Sequence, residues 1–228
     1  LFRSDTNSLP SNAIDEGKEV LELRGPTSKT FEMPDGTYEY HGYATDVHYI
    51  SSSGKLEEIQ TDFVPFSKKA GTGLRYTNKA NSFTLSMGDN DAGESKTAPV
   101  IISKDEKTVS ITPMNGKIVP ARLIVDYYKN TLLEGISTGK DTIVYENIYD
   151  GIDLAYTSMT NGLKETIVIK APTTKNEYVF KLDLQDVTPA KDELGRPMFV
   201  DSDGEPVITT GDVFAIDAAE AYCWDVKT

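Results

Sequence analysis

Residues 142–170, TIVYENIYDGIDLAYTSMTNGLKETIVIK, carry the longest unbroken series of strand signals in this 228-residue chain. Asn161-Gly162 predicts a two-residue type I′ turn, because both central residues of that turn need positive φ. We therefore expect an antiparallel hairpin in which this turn fixes the residues that face each other across the two strands.

The expected register can be written out from the turn. The predicted cross-strand partners are Thr160 with Leu163, Ser158 with Glu165, Tyr156 with Ile167, Leu154 with Ile169, and Asp153 with Lys170. Side chains alternate between the two faces of a strand. The core face should then hold Leu154, Tyr156, Ile167 and Ile169. The other face should meet mostly water, with Asp153, Thr157, Lys164, Thr166 and Lys170 on it and Ala155, Met159 and Val168 as apolar exceptions.

Composition excludes several classes of partner. The formal net charge of −13 and the pI near 4.6 leave no basic surface for nucleic acid or for an anionic membrane. No apolar run approaches the length of a membrane span. The single cysteine, Cys223, excludes a disulfide framework and a thiolate metal site. The chain begins at Leu1 without a Met, which indicates a processed or trimmed start and leaves a removed signal peptide as an open alternative.

Short strands separated by turn residues recur along the chain, and this pattern predicts a mostly β fold. We expect an antiparallel β-sandwich with little helix, built either as one large sandwich or as two abutting ones with a boundary near 88–98. Residues 1–17 are predicted to be a flexible leader, and 18–228 the β-sandwich module. Residues 217–222 have the alanines for one helical turn. The predicted strands are 20–24, 29–33, 37–43, 47–50, 56–63, 74–77, 82–87, 100–102, 108–112, 121–128, 142–170 with its turn, 177–184, 198–200 and 207–209.

Two acidic loops are candidate calcium sites. Asp201, Asp203 and Glu205 alternate in a Gly-containing loop that resembles the start of an oxygen-ligand calcium loop, but the bidentate Glu at the twelfth position is missing. Asp89 and Asp91 form the second candidate. A polar β-turn is the simpler interpretation of either loop, because Asp, Ser and Gly are the residues that such turns prefer.

An aromatic strand face is the candidate ligand surface. The residues that would form it are Tyr38, Tyr40, His41, His48 and Tyr49. Such a face could bind a sugar or a peptide, whereas the simpler interpretation is a solvent-facing sheet in which strand propensity favours tyrosine.

Catalytic signals are weak. Gly135-Ile136-Ser137-Thr138-Gly139 has the spacing of a hydrolase nucleophile elbow with Ser137 as nucleophile, but that motif needs a helix after it and a His later in the chain. Both histidines precede Ser137. Two carboxylates suited to glycoside hydrolysis could be drawn from 36 acidic residues in many ways, and nothing in the sequence selects one pair.

Several groups of residues resemble the amino-terminal region of bacterial RHS/YD-repeat proteins, the large wall-associated or polymorphic-toxin proteins of Gram-positive bacteria. The resemblance spans about residues 20–215. It is carried by Ser28-Lys29-Thr30-Phe31, Asp35-Gly36-Thr37-Tyr38, Val47-His48-Tyr49, Gly54-Lys55-Leu56-Glu57-Glu58-Ile59, Tyr145-Glu146-Asn147-Ile148, Gly151-Ile152-Asp153-Leu154, Tyr156, Leu163-Lys164-Glu165, Ile167 and the Asp203-Gly204 turn.

The resemblance implies a secreted or cell-surface module that precedes a repeat shell and continues beyond Thr228. The expected function is non-catalytic: display, adhesion or support of that shell, with no cofactor apart from the candidate calcium. The alternative is a carbohydrate- or peptide-binding module assisted by calcium, whose partner would be a host or cell-wall glycan or protein. A glycosidase-like enzyme is a third, weaker interpretation.

Overall fold

The computed structural model describes residues 17–67, 73–90, 99–129, 131, 133, 139–217, 219 and 221–223. Every strand pairing within this part of the chain is antiparallel. The predicted mostly β fold is confirmed. The strands are β1 (Lys18–Glu19), β2 (Ser28–Glu32), β3 (Tyr38–Gly42), β4 (His48–Ile50), β5 (Leu56–Glu58), β6 (Gln60–Pro65), β7 (Leu74–Ala80), β8 (Thr84–Gly88), β9 (Val100–Lys104), β10 (Lys107–Pro113), β11 (Arg122–Leu123), β12 (Thr142–Tyr149), β13 (Ile152–Met159), β14 (Gly162–Ile169), β15 (Phe180–Gln185), β16 (Thr188–Lys191), β17 (Pro197–Val200), β18 (Pro206–Thr209), β19 (Ala215–Ile216) and β20 (Tyr222–Cys223).

Two large sheets enclose the main core. One has six strands in the order β15-β10-β9-β8-β7-β6, and the other has four in the order β11-β12-β13-β14. Leu85, Met87 and Val100 of the first sheet pack with Ile143 and Leu154 of the second. The Tyr145 hydroxyl crosses between the sheets to the carbonyl oxygens of Gly88 (2.8 Å) and Pro99 (3.0 Å). This face-to-face packing is the arrangement of a β-sandwich.

Smaller sheets flank the main pair. The first part of the chain forms the three-stranded β1-β2-β3 and the two-stranded β4-β5, while the last part forms β16-β17-β18 and β19-β20. Residues on both sides of 91–98, namely Leu85 and Met87 before it and Val100 after it, belong to one core cluster. Residues 91–98 themselves, like the predicted leader up to residue 16, lie outside the described residues. No helix in the described part of the chain is long and apolar enough to cross a membrane.

The hairpin at 152–169 forms, but its predicted register is wrong by two residues. Met159 pairs with Gly162, Tyr156 with Glu165, and Leu154 with Ile167. Thr160 and Asn161 are therefore the central turn residues, and neither has positive φ. The turn is not type I′, and Gly162 occupies the fourth position, where type I turns favour glycine. Because the shift is an even number of residues, each side chain keeps its predicted face.

The face of β13 predicted to meet water is covered. Asp153 and Thr157 are buried, with 4% and 0% of their surface exposed. Ile124, Tyr127 and Tyr128 pack over this face against Ala155 and Val168, two of the apolar exceptions in the sequence. Conversely, Ile169 was predicted to be in the core but is 52% exposed, because it lies at the end of the edge strand β14. Strand β13 of the hairpin is thus a buried central strand, whereas β14 forms an edge of the sheet.

Three other predicted elements are corrected. Residues 20–24 form a 3-10 turn at Leu21–Leu23 instead of a strand. The strand predicted at 121–128 is reduced to Arg122–Leu123, after which the chain turns across the outer face of β12–β14. At 217–222, Asp217 accepts hydrogen bonds from the amides of Ala219 and Ala221 in a turn that leads into β20, so the described residues there are not helical.

Candidate functional site

Strand β12, at the start of the 142–170 block, is kinked, and one carboxylate holds the kink. Pairing between β12 and β13 is irregular between Tyr145 and Tyr149, and within that interval Asn147 has a φ of +50°. Asn tolerates this left-handed conformation better than most residues. The Asn147 amide donates to Asp153 Oδ1 at 2.7 Å. The amide that the bulge removes from the regular ladder is thereby satisfied.

Asp153 collects two further partners around the bulge. Tyr127 donates its hydroxyl to Asp153 Oδ2 at 2.9 Å, and Lys170 Nζ lies 2.6 Å from Oδ1. Lys170 also donates to Asn147 Oδ1 at 2.9 Å. Burial alone would raise the pKa of Asp153, but the Asn147 amide, Lys170 and Tyr127 outweigh it and hold that pKa below its ordinary value. We call Asn147, Asp153, Lys170 and Tyr127 the bulge clip.

A recess opens beside the turn that joins β12 to β13. Its volume is about 400 Å³. Ile148, Ile152 and Tyr149 lie at its base, where both isoleucine side chains are fully buried, and Thr173 contributes to its wall. The polar side chains at the rim are Asn115, Lys117, Asp150, Thr174 and Lys175.

Lys175 is held against aromatic rings in this recess. Its Nζ lies 4.4 Å from the centre of the Tyr149 ring and 5.1 Å from that of Tyr178, both distances typical of cation–π contacts. Tyr149 is fixed in turn by a 2.9 Å hydrogen bond from its hydroxyl to the Met114 carbonyl oxygen. Burial raises the pKa of Tyr149, so this hydroxyl stays protonated and keeps donating.

The predicted aromatic face is only partly assembled. Tyr38 and Tyr40 lie two residues apart on the edge strand β3 and are 61% and 72% exposed. His41 faces the other side, where its ring meets Phe31 edge-on at 5.2 Å. Tyr49 lies on a different sheet and pairs with Glu57. Of the five residues predicted to form this face, the structure therefore brings together two, Tyr38 and Tyr40.

His48 belongs to a buried polar network. Its side chain is fully buried, and Nδ1 donates to the Gly25 carbonyl oxygen at 2.7 Å. Nε2 lies 3.5 Å from Glu19, whose carboxylate receives two hydrogen bonds from Arg24 at 2.9 and 2.7 Å. These contacts tie β1 to β4, which is a structural role.

At the first candidate calcium loop, Asp201 organises a turn. Its Oδ1 accepts hydrogen bonds from the amides of Asp203 and Glu205, both at 3.0 Å, and Lys107 lies 3.6 Å from Oδ2. The Glu205 and Asp203 amides hold the pKa of Asp201 below its ordinary value. Asp192 makes the same pattern with the amides of Leu194 and Arg196. The loop thus repeats a hairpin turn found one strand earlier.

The other candidates are also accounted for where the structure describes them. Asp89 forms a salt bridge with Arg75 and accepts the Ala121 amide at 2.9 Å, while Asp91 lies outside the described residues. Ser137 lies outside them as well, and the chain enters strand β12 three residues after Gly139. Within the described ranges, no three His, Cys, Asp or Glu side chains converge as metal ligands would.

Sequence reasoning missed the recess and the full bulge clip. The Asp153–Lys170 contact was expected from the hairpin, but Tyr127 is 26 residues away from Asp153 and no local pattern connects them. Comparisons of this chain with protein-family models, curated proteins and solved structures find no match.

Proposed function

We propose that this chain is a non-catalytic module of a large secreted or cell-surface bacterial protein of the RHS type. Its role there is display, adhesion or support of a repeat shell. The residues that carry the family resemblance are the main support for the location and the parent protein. The acidic net charge of −13 suits an exposed, soluble surface.

One structural observation carries the non-catalytic role. Asp153 lies in the 142–170 block, and its carboxylate binds the Asn147 amide, the Tyr127 hydroxyl and Lys170. A general acid or base needs a free site for a substrate proton. Here the carboxylate instead stabilises a strand bulge, which supports a structural role for residues 142–170 in the sandwich.

A paired assay tests this role. The chain and its Asp153→Ala variant are applied to a glycan array, and the spots are then checked for cleavage products by mass spectrometry. We expect no cleavage, and a binding signal that falls only with the folded fraction measured by circular dichroism. Cleavage by the parent chain would contradict the proposal, and its loss in folded Asp153→Ala would locate the activity at Asp153.

A second candidate function is favoured by the exposure of Tyr38 and Tyr40. Two tyrosines on one face of an edge strand offer a stacking surface for a sugar or a peptide. On the same array, Tyr40→Ala would then abolish a specific signal that the matched surface variant Tyr222→Ala retains. A thermal scan with millimolar calcium chloride tests assistance by calcium, and an unchanged midpoint would remove it.

A further inference from the structure

We propose that the recess between Asn115, Asp150 and Lys175 binds a carboxylate-bearing sugar unit of the uronic acid type. The assignment deepens the adhesion role proposed above and rests on it to that extent. The scaffold role of the bulge clip is independent of it, because none of the four clip residues lines the recess.

Lys175 supplies the cation. The chain is strongly acidic, yet within its described residues no carboxylate forms a salt bridge with Lys175. Its ammonium instead rests on the rings of Tyr149 and Tyr178, which position it without neutralising it. A ligand carboxylate that reached this ammonium would gain a charge-assisted hydrogen bond.

The rest of the recess suits a sugar ring better than a bare anion. Asp150 is 94% exposed and can accept hydrogen bonds from sugar hydroxyls, and its charge repels a doubly charged phosphate more strongly than a singly charged carboxylate. Asn115 and Thr174 add an amide and a hydroxyl at the rim. Ile148 and Ile152 lie beneath them with fully buried side chains, so they form a rigid base for the site without contacting the ligand.

The size of the recess agrees with this ligand. Its volume of about 400 Å³ lies at the lower end of the range of small-molecule sites.

Lys117 forms a salt bridge with Asp150 across the rim, and both side chains are more than half exposed. Such exposed pairs contribute little to stability, so a ligand can replace this one at little cost.

The probes are sodium glucuronate, glucose, acetate and inorganic phosphate, titrated into the isotopically labelled whole chain and followed by amide chemical shifts. We expect saturable shifts around the recess with glucuronate at millimolar concentrations, which is the affinity range of single sugar units in open sites. Glucose and acetate should each bind at least about tenfold more weakly, since each lacks one half of the contacts. High salt should weaken glucuronate binding.

Matched variants locate the site. Lys175→Gln should weaken glucuronate binding at least about tenfold, whereas Lys191→Gln, which makes the same charge change at an exposed position outside the recess, should not. Asp150→Ala alters an almost fully exposed side chain and should reduce the preference for glucuronate over acetate. Equal binding of glucose, stronger binding of phosphate, no saturation, full binding by Lys175→Gln, or an unchanged preference for glucuronate over acetate in Asp150→Ala would overturn the proposal.

Discussion

At the scale of single residues, Asp153 joins three partners from different parts of the chain. Asp153→Ala would leave the Asn147 amide, the Tyr127 hydroxyl and Lys170 without their shared partner. We expect a loss of about 2–4 kcal/mol in the free energy of unfolding, because breaking a buried, charge-assisted network leaves several hydrogen-bond donors without an acceptor at once. Urea denaturation measures it. The matched control is Asp183→Ala, which removes an exposed carboxylate paired with the exposed Lys181 and should leave the midpoint unchanged.

The same carboxylate predicts a pH dependence with a defined sign. The folded state holds the pKa of Asp153 below its ordinary value. Its contribution to stability is therefore fully present above the unfolded pKa of about 3.9 and is lost as the pH falls through the lower, folded-state pKa. The stability difference between the parent chain and Asp153→Ala should stay constant from about pH 7 to pH 5 and shrink below about pH 4. A difference that grows in acid would contradict this assignment.

The bulge clip also shows how far a sequence can predict a site. The proximity of Asp153 and Lys170 followed from the hairpin, and it survived a register error because a shift of two leaves both residues on one face. The bulge at Asn147 was not foreseen, since local sequence does not specify where a ladder breaks. Tyr127 reaches the clip through a segment that was predicted to be a strand.

At the scale of elements, two glycines in the β12–β14 block distinguish its turns. Gly151 has a φ of +70°, whereas Gly162 lies outside the left-handed region and has no atom within 4 Å of an added Cβ. Gly151→Val should therefore cost about 1–3 kcal/mol, because a β-branched residue is strained at positive φ. Gly162→Val should change stability by less than about 0.5 kcal/mol, as expected for an unstrained, open position.

The register predicted from the sequence places Gly162 at the centre of a type I′ turn with positive φ, and it would instead make Gly162→Val a damaging change. Thermal denaturation of both variants under identical conditions decides between the registers. If Gly162→Val were the more destabilising change, the observed turn at Thr160 and Asn161 would be wrong. The sequence could not resolve this point, because Asn161-Gly162 fits the centre of a type I′ turn and also the last two positions of a type I turn.

At the scale of the whole molecule, the sandwich class was predictable and the arrangement of its sheets was not. Alternating apolar residues and regularly spaced turns predicted the strands. The pairing of β10 with β15 joins segments about seventy residues apart, and no local signal encodes such a contact. Ile124, Tyr127 and Tyr128 cover Ala155 and Val168. The sequence indicated this covering segment only by placing two apolar residues on a face that was predicted to meet water.

Tyr145 tests the junction of the two large sheets. Its ring is fully buried in the shared core, and its hydroxyl meets carbonyl oxygens of Gly88 and Pro99 on the opposite sheet. Tyr145→Phe keeps the ring and removes the hydroxyl, so we expect a loss of about 1–2 kcal/mol, the usual effect of deleting one buried hydrogen-bonding group. Tyr40→Phe, at a 72% exposed position, is the control and should melt like the parent chain.

Stability should also differ between the first five strands and the sandwich. Among the described residues, the main core cluster begins at Phe63 and draws nothing from 17–59. That earlier part is held by its own contacts, chiefly Arg24, which binds Glu19 and the Leu56 carbonyl oxygen. Regions with few shared apolar contacts open at lower free energy than the global transition.

Hydrogen exchange followed by mass spectrometry on the whole chain measures this difference. Amides of β13, which is buried along nearly its full length, should exchange slowest, and those of β2 and β3 at least about tenfold faster through local opening. Arg24→Gln should accelerate exchange in β1–β5 and leave β13 unchanged, because it loosens only the earlier strands. If Arg24→Gln accelerated β13 to the same extent, 17–59 and the sandwich would unfold as one cooperative unit, and the separation inferred from the core would be wrong.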